Sequence, residues 1–223
     1  MKIINNKSIF SLLENKNIAI VGSSPNLKDS KQGSFIDSHD IVIRFNDALI
    51  FHSENPLDFG YNCNIWAISG WSSEYEKTLT LDKHKACYYK NVPHILGTRP
   101  LYNDDIKHLS KGLKMNGPIF NLISNLDCKY IDTPKEIFDL PLLDGYFNLS
   151  SGVSTLLLLL HFKPKKISML GFNFFNHKIP THFWNDEYHY TEETKKNNEG
   201  HDGEFEKHLV KTLAKNFNIN LVE

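Results

Sequence analysis

Residues 17–21, Asn-Ile-Ala-Ile-Val, form a nearly continuous apolar run that stops at Gly22, and no other stretch constrains the fold as much. A strand with one face in water alternates polar and apolar side chains. A run without alternation has to be covered on both faces, as in a parallel sheet flanked by helices. Further strands are expected at residues 40–45, 64–68, 94–97, 128–131 and 166–170. Helices are expected at 8–14, within 101–114, near 134–138, and at 151–162 and 204–217. In the last of these Phe205, Leu209, Val210, Leu213 and Phe217 recur at helical spacing and form one apolar face. Strands and helices that alternate in this way predict an α/β, Rossmann-like sandwich on a mostly parallel sheet. The polar segment 173–200 is long for a connection, and such loops often carry binding residues.

A chain of 223 residues, 40% hydrophobic, has enough apolar surface for a proper core and is expected to form one domain over 1–223. Its formal net charge of −1, without a basic run, argues against a nucleic-acid partner. Cys63, Cys87 and Cys128 are scattered and lack metal-ligand spacing, as expected of ordinary buried thiols in a reducing compartment. The longest apolar run, 153–162, falls short of the ~20 residues that span a bilayer. The first six residues are too short and polar for a signal peptide, so a soluble, cytoplasmic chain is expected.

Three blocks carry the chemistry. In the first, Gly22 permits a sharp turn after a strand, and Ser23, Ser24 and Asn26 offer hydrogen-bonding groups to a nucleotide or phosphate. Asn46 ends the second strand in a comparable place. Alone, this block reads more readily as an ordinary strand-end turn, since the further glycines of a dinucleotide fingerprint are missing. In the second, Ser150, Ser151 and Gly152 open a leucine-rich helix, where free amides and the positive dipole end favour an anion, although plain capping would use the same residues. In the third, His201 precedes a helix with Asp202 as its expected N-cap. The nearby positive helix end disfavours imidazolium, so His201 is expected to be neutral and basic, fit to take a proton from a hydroxyl. His189 lies twelve residues upstream and could neutralise a leaving phosphate; a bland exposed or capping role suits either histidine as well.

Together the blocks resemble the motifs of the sialyltransferases, glycosyltransferase family 29. Val21–Leu27 with Ile36-Asp-Ser-His-Asp40 and Arg44-Phe-Asn46 is similar to the long motif. Ser150-Ser-Gly152 through Gly171-Phe172 is similar to the short motif, His189-Tyr190 to the third, and His201 with Glu206 to the very short one. The resemblance covers about residues 17–72 and 148–217, and the start of the short motif is also similar to the bacterial sialyltransferases of family 42. It implies a single-domain, GT-A-like variant of the Rossmann-like fold, and inverting transfer of a sugar acid from a CMP-linked donor to a glycan or glycolipid hydroxyl, with no metal or other cofactor. It implies donor contacts from Gly22, Ser23, Asn26, Asn46, Ser72, Ser150, Ser151, Gly152 and Phe172, His201 as base, His189 assisting phosphate departure, and Glu206 orienting the helix or His201. The family usually has Asn where this chain has Ser23, and the cysteine pair of vertebrate members has no counterpart here. These departures fit a cytoplasmic bacterial enzyme, peripheral at the inner membrane, that decorates a lipopolysaccharide or capsule. Sialic acid, Kdo and other nonulosonic acids are all CMP-activated and remain open as the donor sugar. From other classes, a non-catalytic nucleotide-sugar module remains open, whereas a hydrolase would need a Gly-x-Ser-x-Gly elbow or a P-loop, and neither occurs.

Overall fold

The computed structural model describes residues 2–3 (backbone only), 6–69, 91–98, 126–137, 149–175, 182–183 and 201–222. Within them eight strands form one sheet: β1 (Lys2–Ile3), β2 (Asn17–Val21), β3 (Ile41–Phe45), β4 (Ile65–Ile68), β5 (His94–Gly97), β6 (Lys129–Asp132), β7 (Lys166–Leu170) and β8 (Ile219–Val222). Their order is β1-β6-β5-β4-β3-β2-β7-β8, and every adjacent pair is parallel. The apolar run at 17–21 is a central strand, and Ile18 to Val21 are fully buried, as its lack of alternation requires.

Among the described residues six α-helices accompany the sheet: α1 (Asn6–Leu13), α2 (Gly33–Asp37), α3 (Ala48–Glu54), α4 (Pro56–Phe59), α5 (Ser151–His161) and α6 (Gly203–Asn216). On one face Ile18, Ile20 and Ile43 pack with Ile9 and Leu13 of α1, with the leucines of α5, and with Leu209 and Val210 of α6. On the other, Ala19, Val21 and Val42 meet Ile36 of α2 and Phe59 of α4, while Trp66 and Ile68 meet Leu49 and Ile50 of α3. Helix α5 is buried without a break from Gly152 to Leu159, as befits a helix apolar all round.

The expected elements differ from these in a few places. The helix near 134–138 is a single 3-10 turn, Lys135–Ile137. Phe217 does not join the apolar face of α6: it is the residue after the helix and is 46% exposed. Strands β1 and β8 and the short helices α2, α3 and α4 were not expected. The helix within 101–114 and Cys87 lie outside the described residues. Cys128 is buried and Cys63 half-buried, and burial pushes the Cys63 thiol up to about 12.

The chain lays β2, β3, β4, β5 and β6 side by side in one direction, then returns to place β7 on the other side of β2. In an open parallel sheet a ligand sits outside the carboxyl ends of the strands where the order reverses, here at the ends of β2 and β7.

Candidate active site

Three glycines bring the three motif blocks onto one loop, residues 171–175, which follows β7. A Cβ on Gly22 would overlap the carbonyl oxygen of Gly171, so the β2 and β7 turns approach as closely as backbones can. Gly171 itself has φ +70, and its carbonyl accepts from Ser24 N at 3.0 Å. A Cβ on Gly152 would overlap the ring of Phe172, and one on Gly203 would overlap the carbonyl oxygen of Phe174. Phe174 and Phe175 both have left-handed backbones (φ 50 and 54), with Asn173 Oδ1 accepting from Phe175 N at 3.1 Å. Such conformations cost a residue with a side chain about 1–3 kcal/mol each and persist where surrounding contacts over-determine them. Here those contacts include the start of α6, where Gly203 meets Phe174 and His201 meets Phe175.

In the first block the serines have separate jobs. Ser24 is buried and caps the 3-10 turn Pro25–Leu27, accepting from Asn26 N, so the expectation that its hydroxyl serves a ligand is corrected. Ser23 is half-buried, with Oγ 2.7 Å from His182 Nδ1. The Asn26 side chain is exposed. Asn46 takes φ 40, and its Oδ1 accepts from Ser69 N (2.9 Å) and Ser69 Oγ (3.2 Å). A backbone N–H can only donate, so the amide orientation is fixed and the NH2 group is turned away from Ser69.

Behind this turn lies a buried cation. Arg44 on β3 donates through Nε to Asn62 O (2.9 Å), through Nη2 to Phe59 O (2.6 Å), and through Nη1 to His52 Nδ1 (2.9 Å). Arginine has no acceptor, so His52 Nδ1 is unprotonated and the ring proton sits on Nε2, on the side of the Gly22 backbone. Burial, and then the Arg44 charge, hold His52 well below its usual range, so it is neutral.

The second and third blocks are tied by a buried carboxylate. Ser150 is the N-cap of α5, accepting from Val153 N through Oγ. The same residue donates to Glu206, from its N–H to Oε1 (2.5 Å) and from its hydroxyl to Oε2 (2.6 Å). Glu206 is 1% exposed and sits one turn into α6. Its role in orienting the helix therefore takes a definite form: it joins α6 to the start of α5. Ser151 Oγ accepts from Thr98 Oγ1 (3.2 Å) at the end of β5. The first amides of α5 are less open than the Ser-Ser-Gly sequence implied, because Phe172 lies on Gly152. Asp202 is the N-cap of α6, accepting from Phe205 N at 3.1 Å, as expected. His201 stands half-buried before it, its ring 4.7 Å from that of Phe175.

The structure therefore gathers Gly22, Ser23, Asn46, Ser150, Ser151, Gly152, Phe172, His201 and Glu206 at one end of the sheet. Ser72 and His189 lie outside the described residues. Sequence reasoning passed over His182, Phe183 and His52. With 11 histidines in the chain, spacing gave no reason to choose these.

Residues 5–115 match the family model of glycosyltransferase family 29 (sialyltransferase). No curated protein sequence matches the chain. Among solved structures, a mammalian sialyltransferase in complex with Gal-beta-1-3GalNAc-ortho-nitrophenol is similar over 96% of this chain and 71% of that one, with 18% identity and a TM-score of 0.58. A second mammalian sialyltransferase structure is similar over 93% of this chain and 69% of that one (19% identity, TM-score 0.59). The sialyltransferase CstII from Campylobacter jejuni, in complex with cytidine-5'-monophosphate, is similar over 93% of this chain and 79% of that one (16% identity, TM-score 0.55). The chain belongs to glycosyltransferase family 29, the sialyltransferases, and is with them a CMP-sugar-dependent glycosyltransferase.

Proposed function

We propose that the protein is an inverting transferase that moves a sialic-acid-type sugar acid from its CMP-linked donor to a hydroxyl of a glycan, the acceptor being a bacterial surface lipooligosaccharide or capsule. The observation that carries this reading is the convergence of all three motif blocks on loop 171–175, through Gly22, Gly152 and Gly203. The nucleotide would lie at the β2 turn, against Ser23, Asn26, the outward amide of Asn46 and Ser72. The anionic groups of the donor would face the Ser151–Gly152 start of α5, beneath Phe172, where the helix dipole favours negative charge.

The reaction follows from the blocks. His201 takes the proton of the acceptor hydroxyl, the oxygen attacks the anomeric carbon, and the bond from that carbon to the phosphate oxygen breaks. CMP leaves from the opposite face with both electrons, which inverts the anomeric centre; His189 would offset the charge on the departing phosphate. Effective base catalysis needs His201 within reach of the acceptor oxygen, and the Glu206–Ser150 bonds set that reach by fixing α6 on α5. A nucleoside monophosphate is a competent leaving group, so no divalent metal is required in this scheme. Among the described residues no helix is long and apolar enough to cross a membrane. The enzyme is placed by this reading in the cytoplasm, in peripheral contact with the inner membrane through a lipid-linked acceptor.

Thermal denaturation with CMP, UMP, GDP and NAD in EDTA tests the reading. CMP at a hundred times its dissociation constant should add about 2.7 kcal/mol, and CMP-linked sialic acid should stabilise more. Preference for a uridine or guanosine nucleotide, or binding only with magnesium, would sink it.

A further inference from the structure

Lysine gathers on one flank of the molecule, although the chain as a whole has a net charge of −1. The turns that lead into β2 and β7 are tied together. Lys165 N and Lys166 N donate to Lys16 O (2.9 and 3.3 Å), and Asn15 N donates to Lys163 O (3.2 Å). Four lysines thus share one small region at the amino ends of these strands, opposite the candidate site. Lys163 and Lys165 are exposed, and Lys16 and Lys166 half-buried. The acidic residues beside them are Glu14 and Asp40, and Asp40 already accepts from Asn17 N at 2.8 Å.

Helix α6 ends at the same place. The Asn218 side chain donates to Lys165 O at 2.9 Å, and Ile167 N donates to Asn218 O at 2.9 Å. Glu206, Leu209 and Val210 bury the inner face of α6, which leaves half-buried Lys207 and exposed Lys211 and Lys215 as a row four residues apart on the outer side. Glu204 precedes the row, and the exposed Phe217 follows it, one residue before Asn218. Over its 14 residues α6 extends about 21 Å, from beside His201 to that phenylalanine. The outer side of a helix and an exposed turn make a convex surface, which suits a flat anionic partner better than the narrow phosphate track of a nucleic acid. An aromatic ring at the end of a basic helical row is the kind of side chain that enters the headgroup region of a bilayer.

We propose that this flank, the outer side of α6 with the 163–166 turn, docks directly on an anionic lipid bilayer, with Lys163, Lys165, Lys211 and Lys215 at the headgroups and Phe217 among them. In its purpose the proposal rests on the reading of a lipid-linked acceptor, and it adds a membrane contact that does not depend on that acceptor. With α6 lying along the bilayer, His201 is held near the level of the headgroups, where a glycan carried on a lipid emerges.

Sedimentation of the full chain with vesicles tests it, with equal parts of phosphatidylglycerol and phosphatidylcholine set against phosphatidylcholine alone. The wild type should bind only the anionic vesicles and should be released as salt is raised. Lys163→Gln, Lys165→Gln and Lys215→Gln combined should weaken binding about a hundredfold, at about fivefold for each lysine near an anionic surface. Lys28→Gln, Lys31→Gln and Lys129→Gln combined remove the same charge from exposed places elsewhere and should leave binding nearly unchanged. Both triple variants should melt and bind CMP as the wild type does. In the first, transfer to a glycolipid in the anionic vesicles should fall with binding, while transfer to the same glycan free in solution should hold. Binding that ignores phosphatidylglycerol, equal losses in the two triple variants, or tighter binding to single-stranded RNA than to the anionic vesicles at the same salt would overturn the proposal. Those outcomes leave the sugar-transfer reading intact. A wild type that sediments with the anionic vesicles yet transfers nothing from CMP-linked sialic acid to either acceptor removes that reading and leaves the docking surface in place.

Discussion

Glu206 places a carboxyl group where a helix start would otherwise be open to an anion, and it does so with two bonds to one serine. Ser150 is thereby engaged, which in the proposed scheme leaves the donor's anionic groups to Ser151 and Gly152. His201 is five residues before Glu206 on the same unit, so the proposed base and the proposed anion site share one fixed frame. His201→Ala should keep CMP affinity within about twofold yet lower turnover by roughly 10²–10⁴, the usual contribution of a general base. Steady-state transfer kinetics beside CMP titration would check it, and full turnover in the variant would remove His201 as the base. At this scale the sequence exposed Ser150, Asp202 and Asn46, because caps and strand-end turns are local features read from neighbouring residues. It hid the partners: Ser150 meets Glu206 across 56 positions, and Ser23 meets His182 across 159. No local pattern encodes such pairings.

Among the elements, α5 and the loop after β7 depend on each other most. The Phe172 ring occupies the space that a side chain at position 152 would need, so Gly152 is required for packing. Gly152→Val should cost about 1–3 kcal/mol, as overpacked sites do, and should weaken CMP binding at the same time. Melting curves and titration of the variant would show both effects, and Phe172→Ala in the same chain should return part of the stability. Unchanged melting and affinity in Gly152→Val would mean that neither contact matters. The strands were legible because their buried apolar runs differ from everything around them; β2, β5 and β7 have the expected limits. Helices α2, α3 and α4 were not, since elements of five, seven and four residues are too short to display a 3.6-residue period. Strand β8 is half-buried at all four positions, which leaves neither an alternating nor a continuous apolar signal.

For the whole molecule, the buried neutral histidines make stability depend on acidity. His52 and His94 titrate below their ordinary value in the folded protein, and His182 near 4, mainly through burial. In the unfolded chain each titrates near about 6.5. Above that pH both states are neutral and the histidines give no slope; as pH falls below it the unfolded state takes up protons that the native state refuses. Stability should therefore decline steadily from about pH 6.5 to about pH 4, and denaturant midpoints across that range would measure it. A flat profile there would contradict the buried, neutral assignment. The strand order also bears on how the molecule comes into being. Ile18 of β2 pairs on one side with Ile41, close by in the chain, and on the other with Ile167. While the protein is being synthesised, β2 must wait with one edge bare until β7 has emerged, the kind of long-range closure that slows folding and invites aggregation. The turn at Gly22 thus lacks its Gly171 partner until β7 has been made, and only β8, which pairs with β7, joins the sheet after that.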